Sequence, residues 1–140
     1  MEKVYVEHGW YDGQATEGIA DFKGRPNRFK LQFDDLKDEY SYFYYLIPIS
    51  NDEFILEIEQ WKIFVEWNKK YEAGKASTET HPGNGGVNQR WDEIEKKLHP
   101  KRGLIPDSAL VAKATFEPID QKNRYESSGP DYEVIWKLIG

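Results

Sequence analysis

The chain has 140 residues, no cysteine, 15% aromatic residues and a formal net charge of -6. That length predicts a single domain, residues 1–140, large enough for a real core. Missing cysteines exclude disulfides and thiol chemistry, and the acidic balance argues against nucleic acid, whose phosphates need a basic surface.

Lys3 to Glu7 reads as a short strand, with Val4 and Val6 on one face. The opening Met1-Glu2-Lys3 leads straight into it, so no leader or membrane span is read and a cytoplasmic setting is expected. His8-Gly9-Trp10-Tyr11-Asp12-Gly13 follows as a glycine-flanked aromatic loop. Gly18 to Lys23 can be a second strand, and Lys23-Gly24-Arg25-Pro26 is turn chemistry. Asn27 to Phe33 alternates cleanly, with Phe29, Leu31 and Phe33 inward and Arg28, Lys30 and Gln32 outward. Asp34 to Glu39 is an acidic loop. Tyr40 to Ile49 carries apolar or aromatic residues on both faces, which predicts a central strand covered on both sides.

A long helix follows. Ser50-Asn51-Asp52-Glu53 fits a capping box, with Ile49 and Phe54 placed for a hydrophobic staple. Gly74 is placed to end the helix in a left-handed conformation. The length would be about 35 Å. Phe54, Ile58, Trp61 and Val65 make one face, and Leu56, Ile63 and Trp67 another. So wide an apolar arc predicts cover from more than one neighbour. Glu57, Gln60 and Asn68 fall inside or beside it and need hydrogen-bond partners if buried.

Lys75 to Gly86 is a polar loop. Val87, Trp91, Ile94 and Leu98 then recur at helical spacing, and Pro100 is expected to stop this second helix. Leu110 to Glu117 alternates as a strand, Asp120 to Pro130 is a polar connection, and Tyr132 to Leu138 closes the chain as a last strand. The expected fold class is α+β: a curved antiparallel sheet, elements in the order ββββααββ, packed on one long central helix and one short one. The sheet is drawn as curving toward a half-barrel around the long helix.

Four blocks stand out together: His8 to Gly13, Glu59 to Trp67, Thr80 to Gly86, and Gly129 to Val134. With these the chain resembles a family of small bacterial proteins that have an HGWYDG-type opening and an EQW-containing helix. The resemblance covers nearly the whole chain and implies a single bacterial domain. It implies no activity, cofactor or catalytic residue.

Two loops are candidate ligand sites. His8, Trp10, Tyr11 and Asp12 bring an imidazole, an indole, a phenol and a carboxylate within five residues, and the flanking glycines let a ligand approach. The structural alternative is a tight turn whose Trp10 and Tyr11 plug a barrel end. The second loop, Thr80 to Gly86, precedes a helix N-terminus, which suits a small anion; Arg90 could add charge and His81 could titrate. The loop lacks the Lys-Ser/Thr of a phosphate-binding loop, and its alternative is a plain cap. Asp34, Asp35, Asp38 and Glu39 are candidates for holding a basic protein partner. The acids of the long helix would lie about 30 Å away along an extended strand, so the two groups make one patch only if the fold brings them back together.

Only His8, His81 and His99 could join carboxylates at a metal, at no ligand spacing, so no metal and no cofactor is expected. Ser127-Ser128-Gly129 lacks a nucleophile elbow, so no catalytic residue is named. The leading expectation is a non-enzymatic protein-interaction module, of the immunity type, that binds a basic partner through an acidic and aromatic face. The alternative is a small-molecule or anion-binding protein, or an enzyme, built on the 8–13 and 80–90 loops. A concave pocket joining those loops would favour the ligand; a flat acidic face with exposed aromatics would favour the partner.

Overall fold

Two tight hairpins start the chain. Asp12-Gly13 and Lys23-Gly24 each take two positive φ values, 50° and 77°, then 53° and 74°. Two such residues in a row give the turn whose twist matches paired strands. The Glu2 carboxylate accepts the amides of Lys23 and Gly24 and pins the second turn.

The computed structural model describes residues 1–119 and 132–139. Its elements are β1 (Glu2–Tyr11), β2 (Gln14–Phe22), β3 (Arg25–Asp34), β4 (Glu39–Pro48), α1 (Asn51–Glu72), a 3-10 turn at Thr78–Thr80, α2 (Gln89–Arg102), β5 (Leu110–Pro118) and β6 (Tyr132–Leu138). The strands close into an antiparallel barrel in chain order, with β6 returning to β1. This corrects the expected fold class. The sheet is not an open one packed on a long central helix, and the order differs from ββββααββ by the 3-10 turn between the helices. A small barrel can be filled by its own side chains. Here the filling is aromatic: Phe29, Tyr44, Phe116 and Trp136 meet with ring centroids 5.6 to 6.0 Å apart. The closing seams are short. β1 meets β6 through Glu2–Val4 and Tyr132–Val134, and β4 meets β5 through Tyr44–Leu46 and Leu110–Ala112.

Polar groups of this interior are paired. The Tyr44 hydroxyl donates to the Ala15 carbonyl at 2.5 Å, and burial pushes its pKa up. The Trp136 indole donates to the Asp21 carbonyl at 3.0 Å. Gly18 is required where it stands. A Cβ there would lie 1.9 Å from the Val6 carbonyl oxygen and 2.7 Å from the Phe29 ring.

Several element boundaries move. β1 runs through His8, Trp10 and Tyr11, so only Asp12-Gly13 is a turn. The β3–β4 register shifts between Leu31 and Phe33, and beyond it Phe33 and Tyr42 are exposed. Helix α2 continues past Pro100 to Arg102. Proline costs one hydrogen bond and a steric clash inside a helix, but here it sits in the last turn. Val87 lies outside α2 and is exposed.

α1 lies on the outside of the barrel. Ser50 caps it, accepting the Glu53 amide at 3.1 Å. The Glu53 carboxylate is bonded instead to Arg28 and Lys101. The fully buried residues of α1 are Glu57 and Gln60, while its apolar residues all keep some exposure. No helix among the described residues is long and apolar enough to cross a membrane. The Asp120–Pro130 connection, Ser127-Ser128-Gly129 and residues 129–131 of the fourth block lie outside the described residues.

Candidate functional site: a cleft between barrel wall and helix pair

Strand pairing lines up two rows across β1, β2 and β3. Val6 stands opposite Ile19, and Ile19 opposite Arg28. Two residues along, on the same face, His8 stands opposite Glu17, and Glu17 opposite Lys30. α1 and α2 lie over this wall and enclose a hollow of about 310 Å³ lined by both rows and by Glu57, Gln60, Trp91, Glu95 and Arg102.

Most charges in this hollow are spent on one another. Glu57 accepts from Arg28 at 2.8 Å and from Arg102 at 2.6 Å. Arg102 also reaches Glu95 at 2.8 Å and the Gln60 side-chain carbonyl at 2.5 Å, and Gln60 donates to Glu95 at 2.8 Å. Burial works against the Arg102 charge, but Glu57 and Glu95 outweigh it and raise its pKa. Burial likewise opposes the Glu95 charge, yet Gln60 and Arg102 hold that carboxyl below its ordinary value. Among the described residues, the His8 imidazole, the Glu17 carboxylate and the Lys30 ammonium take no part in any hydrogen bond or ion pair.

A second hollow of about 360 Å³ adjoins the first and shares His8 and Trp91 with it. Glu7, Gly9, Trp10, Trp61, Phe64 and His81 complete its lining. The His8 ring meets Trp61 edge to face at 5.5 Å. His81 lies against Trp67 at 4.5 Å and near Phe64 and Trp91. Its Nδ1 accepts the Gly83 amide at 2.8 Å, so a proton on the neutral ring belongs to Nε2. His8 is exposed to solvent yet crowded by protein, as a cleft-wall residue is. Desolvation lowers its pKa against the opposing pull of Glu17 and Glu57, so the ring is neutral at pH 7.

The structure therefore sorts the candidate residues. His8, Trp10 and His81 come together in one hollow. Tyr11 points elsewhere, packing on Tyr40 of β4 at 5.1 Å. Asp12 is an exposed turn residue. Arg90 is engaged with Glu59 and Glu93, and its bonds to Glu59 depress that carboxyl. It lines neither hollow.

The four candidate acids lie on the β3–β4 hairpin. Asp34 accepts the amides of Leu36 and Lys37 and shapes the tip. Leu36 is 99% exposed and Tyr42 69%. A depression beside them is lined by Phe33, Asp34, Asp35, Glu39 and Tyr40. Of the α1 acids, Glu53, Glu57 and Glu59 are already bonded to cations and offer little free charge to such a patch.

Sequence reasoning missed Glu17 and Lys30, which only strand pairing brings beside His8. It placed Trp61 and Trp91 as packing residues, where they and Phe64 also wall a cavity. The chain matches no protein-family model, no curated protein and no solved structure.

Proposed function

We propose that the chain is a small-molecule-binding protein whose site is the double hollow between the barrel wall and the helix pair. One observation carries this reading: His8 and Trp10 share a concave pocket with His81 from the other candidate loop. Each hollow falls at the lower end of the range for ligand sites, which are mostly apolar with a few placed polar groups. The aromatic part suits a flat ring, held by stacked or edge-on contacts worth about 0.5–1.5 kcal/mol per pair. Arg90 does not support the small-anion version, because two carboxylates already bind it.

A thermal-shift panel of aromatic, anionic and uncharged ring compounds tests the reading, with His8→Ala, His81→Ala and Trp91→Ala in parallel. Ligand at about 100 times its dissociation constant adds roughly 2.7 kcal/mol of stability. A hit lost in the variants is expected. A blank across the panel with folded variants would count against it.

The protein-partner reading is carried by a different observation, the near-complete exposure of Leu36 inside a ring of acids. In that reading the hairpin holds a basic partner of the immunity type. Its test is binding of a lysine-rich peptide at low and high salt, with Leu36→Ala and Asp35→Asn compared. Binding indifferent to salt would speak against it. Either function is proposed for a bacterial, cytoplasmic setting.

A further inference from the structure

We infer that the double hollow takes an aromatic amino acid or a ligand of the same build: a flat ring carrying an ammonium and a carboxylate close together. The inference rests on the cleft reading and names its ligand class. Only some groups in the cleft remain available to a guest. Arg28, Glu57, Gln60, Glu95 and Arg102 satisfy one another. They are the already paired part of the lining and offer little charge to a guest. The Glu17 carboxylate and the Lys30 ammonium line the same hollow and form no ion pair. They are direct cross-strand neighbours, about 4.8 Å apart at the backbone. That spacing suits a guest whose two opposite charges sit on one carbon, its ammonium toward Glu17 and its carboxylate toward Lys30.

His8 is the third member of the row and the residue shared with the aromatic hollow. A ring attached to the charged head would pass His8 to reach Trp61, Phe64 and Trp91. A purely anionic guest would leave Glu17 facing its charge, and a purely cationic one would face Lys30. An uncharged ring would desolvate both for no return, a cost that polar burial carries.

Calorimetric titration with four probes tests this: L-phenylalanine, 2-phenylethylamine, 3-phenylpropanoate and uncharged 2-phenylethanol. L-phenylalanine is expected to bind at least tenfold more tightly than each of the others. Lys30→Met should reduce its affinity toward that of 2-phenylethylamine and tighten the amine, which then no longer faces the Lys30 ammonium. Glu17→Gln should reduce it to that of 3-phenylpropanoate. Both side chains reach solvent, so the variants are expected to melt like the wild type. Equal binding of 2-phenylethanol and L-phenylalanine would overturn the zwitterion assignment while the cleft reading stands. Binding of none of the four at millimolar concentration would overturn it too, leaving the cleft itself to the wider panel.

Discussion

Arg102 at the end of α2 donates to Glu57 on the buried face of α1 at 2.6 Å. Glu57 also takes Arg28 from the barrel wall, so one carboxylate joins both helices to β3. Removing it leaves two guanidiniums without their shared acceptor. Glu57→Ala is expected to cost about 3–5 kcal/mol, the range for breaking a buried ion pair from one side. Urea unfolding measures it as a fall in midpoint at constant slope. A loss under about 1 kcal/mol would mean that solvent, not Glu57, neutralises these arginines.

The fold should weaken as pH falls through the region below 6.5, the ordinary value for histidine. His8 has a lowered pKa in the folded chain, so the unfolded chain binds its proton first. Stability from this group is present above pH 6.5 and is lost as pH falls toward the folded value. The slope cannot exceed about 1.4 kcal/mol per pH unit for one proton. His8→Gln should flatten it. An unchanged slope in the variant would assign the effect to another group.

Gly18→Ala should be among the most damaging small substitutions in the chain. The added methyl has the Val6 carbonyl on one side and the Phe29 ring on another. Overpacking of this kind costs about 1–3 kcal/mol and sometimes more, and backbone cannot swing aside as a side chain can. A variant as stable as the wild type would mean that the β1–β2 pairing is looser than drawn.

Leu36→Lys at the hairpin tip should change stability by no more than about 0.5 kcal/mol, as surface substitutions do. Leu36 is almost fully exposed. A larger loss in thermal unfolding would mean that this side chain packs on something in solution.

Local signals were legible in the sequence, and non-local ones were not. The Ser50 cap and the alternation of β6 from Tyr132 to Trp136 follow from neighbouring residues, and the structure has both. In β3, Phe29 and Leu31 are buried as the alternation predicts, but Phe33 is exposed and Arg28 is buried. Barrel closure depends on Glu2–Val4 meeting Tyr132–Val134, a pairing that no window of sequence contains. The wide apolar arc of α1 pointed to a central helix. The polar exceptions inside it, Glu57 and Gln60, proved to be its buried residues, because Arg28 and Arg102 arrive from distant elements. His8 was readable as a candidate by its type. Glu17 and Lys30 became candidates only through cross-strand register.

The most direct test of the cleft as a binding site is an amide and indole NMR titration of the intact chain with L-phenylalanine and with 2-phenylethanol. The five tryptophans report on more than one place. Trp61 and Trp91 line the aromatic hollow, whereas the Trp136 indole is bonded to Asp21 in the barrel wall. The account predicts that the Trp61 and Trp91 indole signals move with ligand, together with the amides of His8, Glu17 and Lys30, while Trp136 stays fixed. No shifts at millimolar ligand would contradict the assignment of these ligands, and shifts confined to the β3–β4 hairpin would contradict the cleft itself.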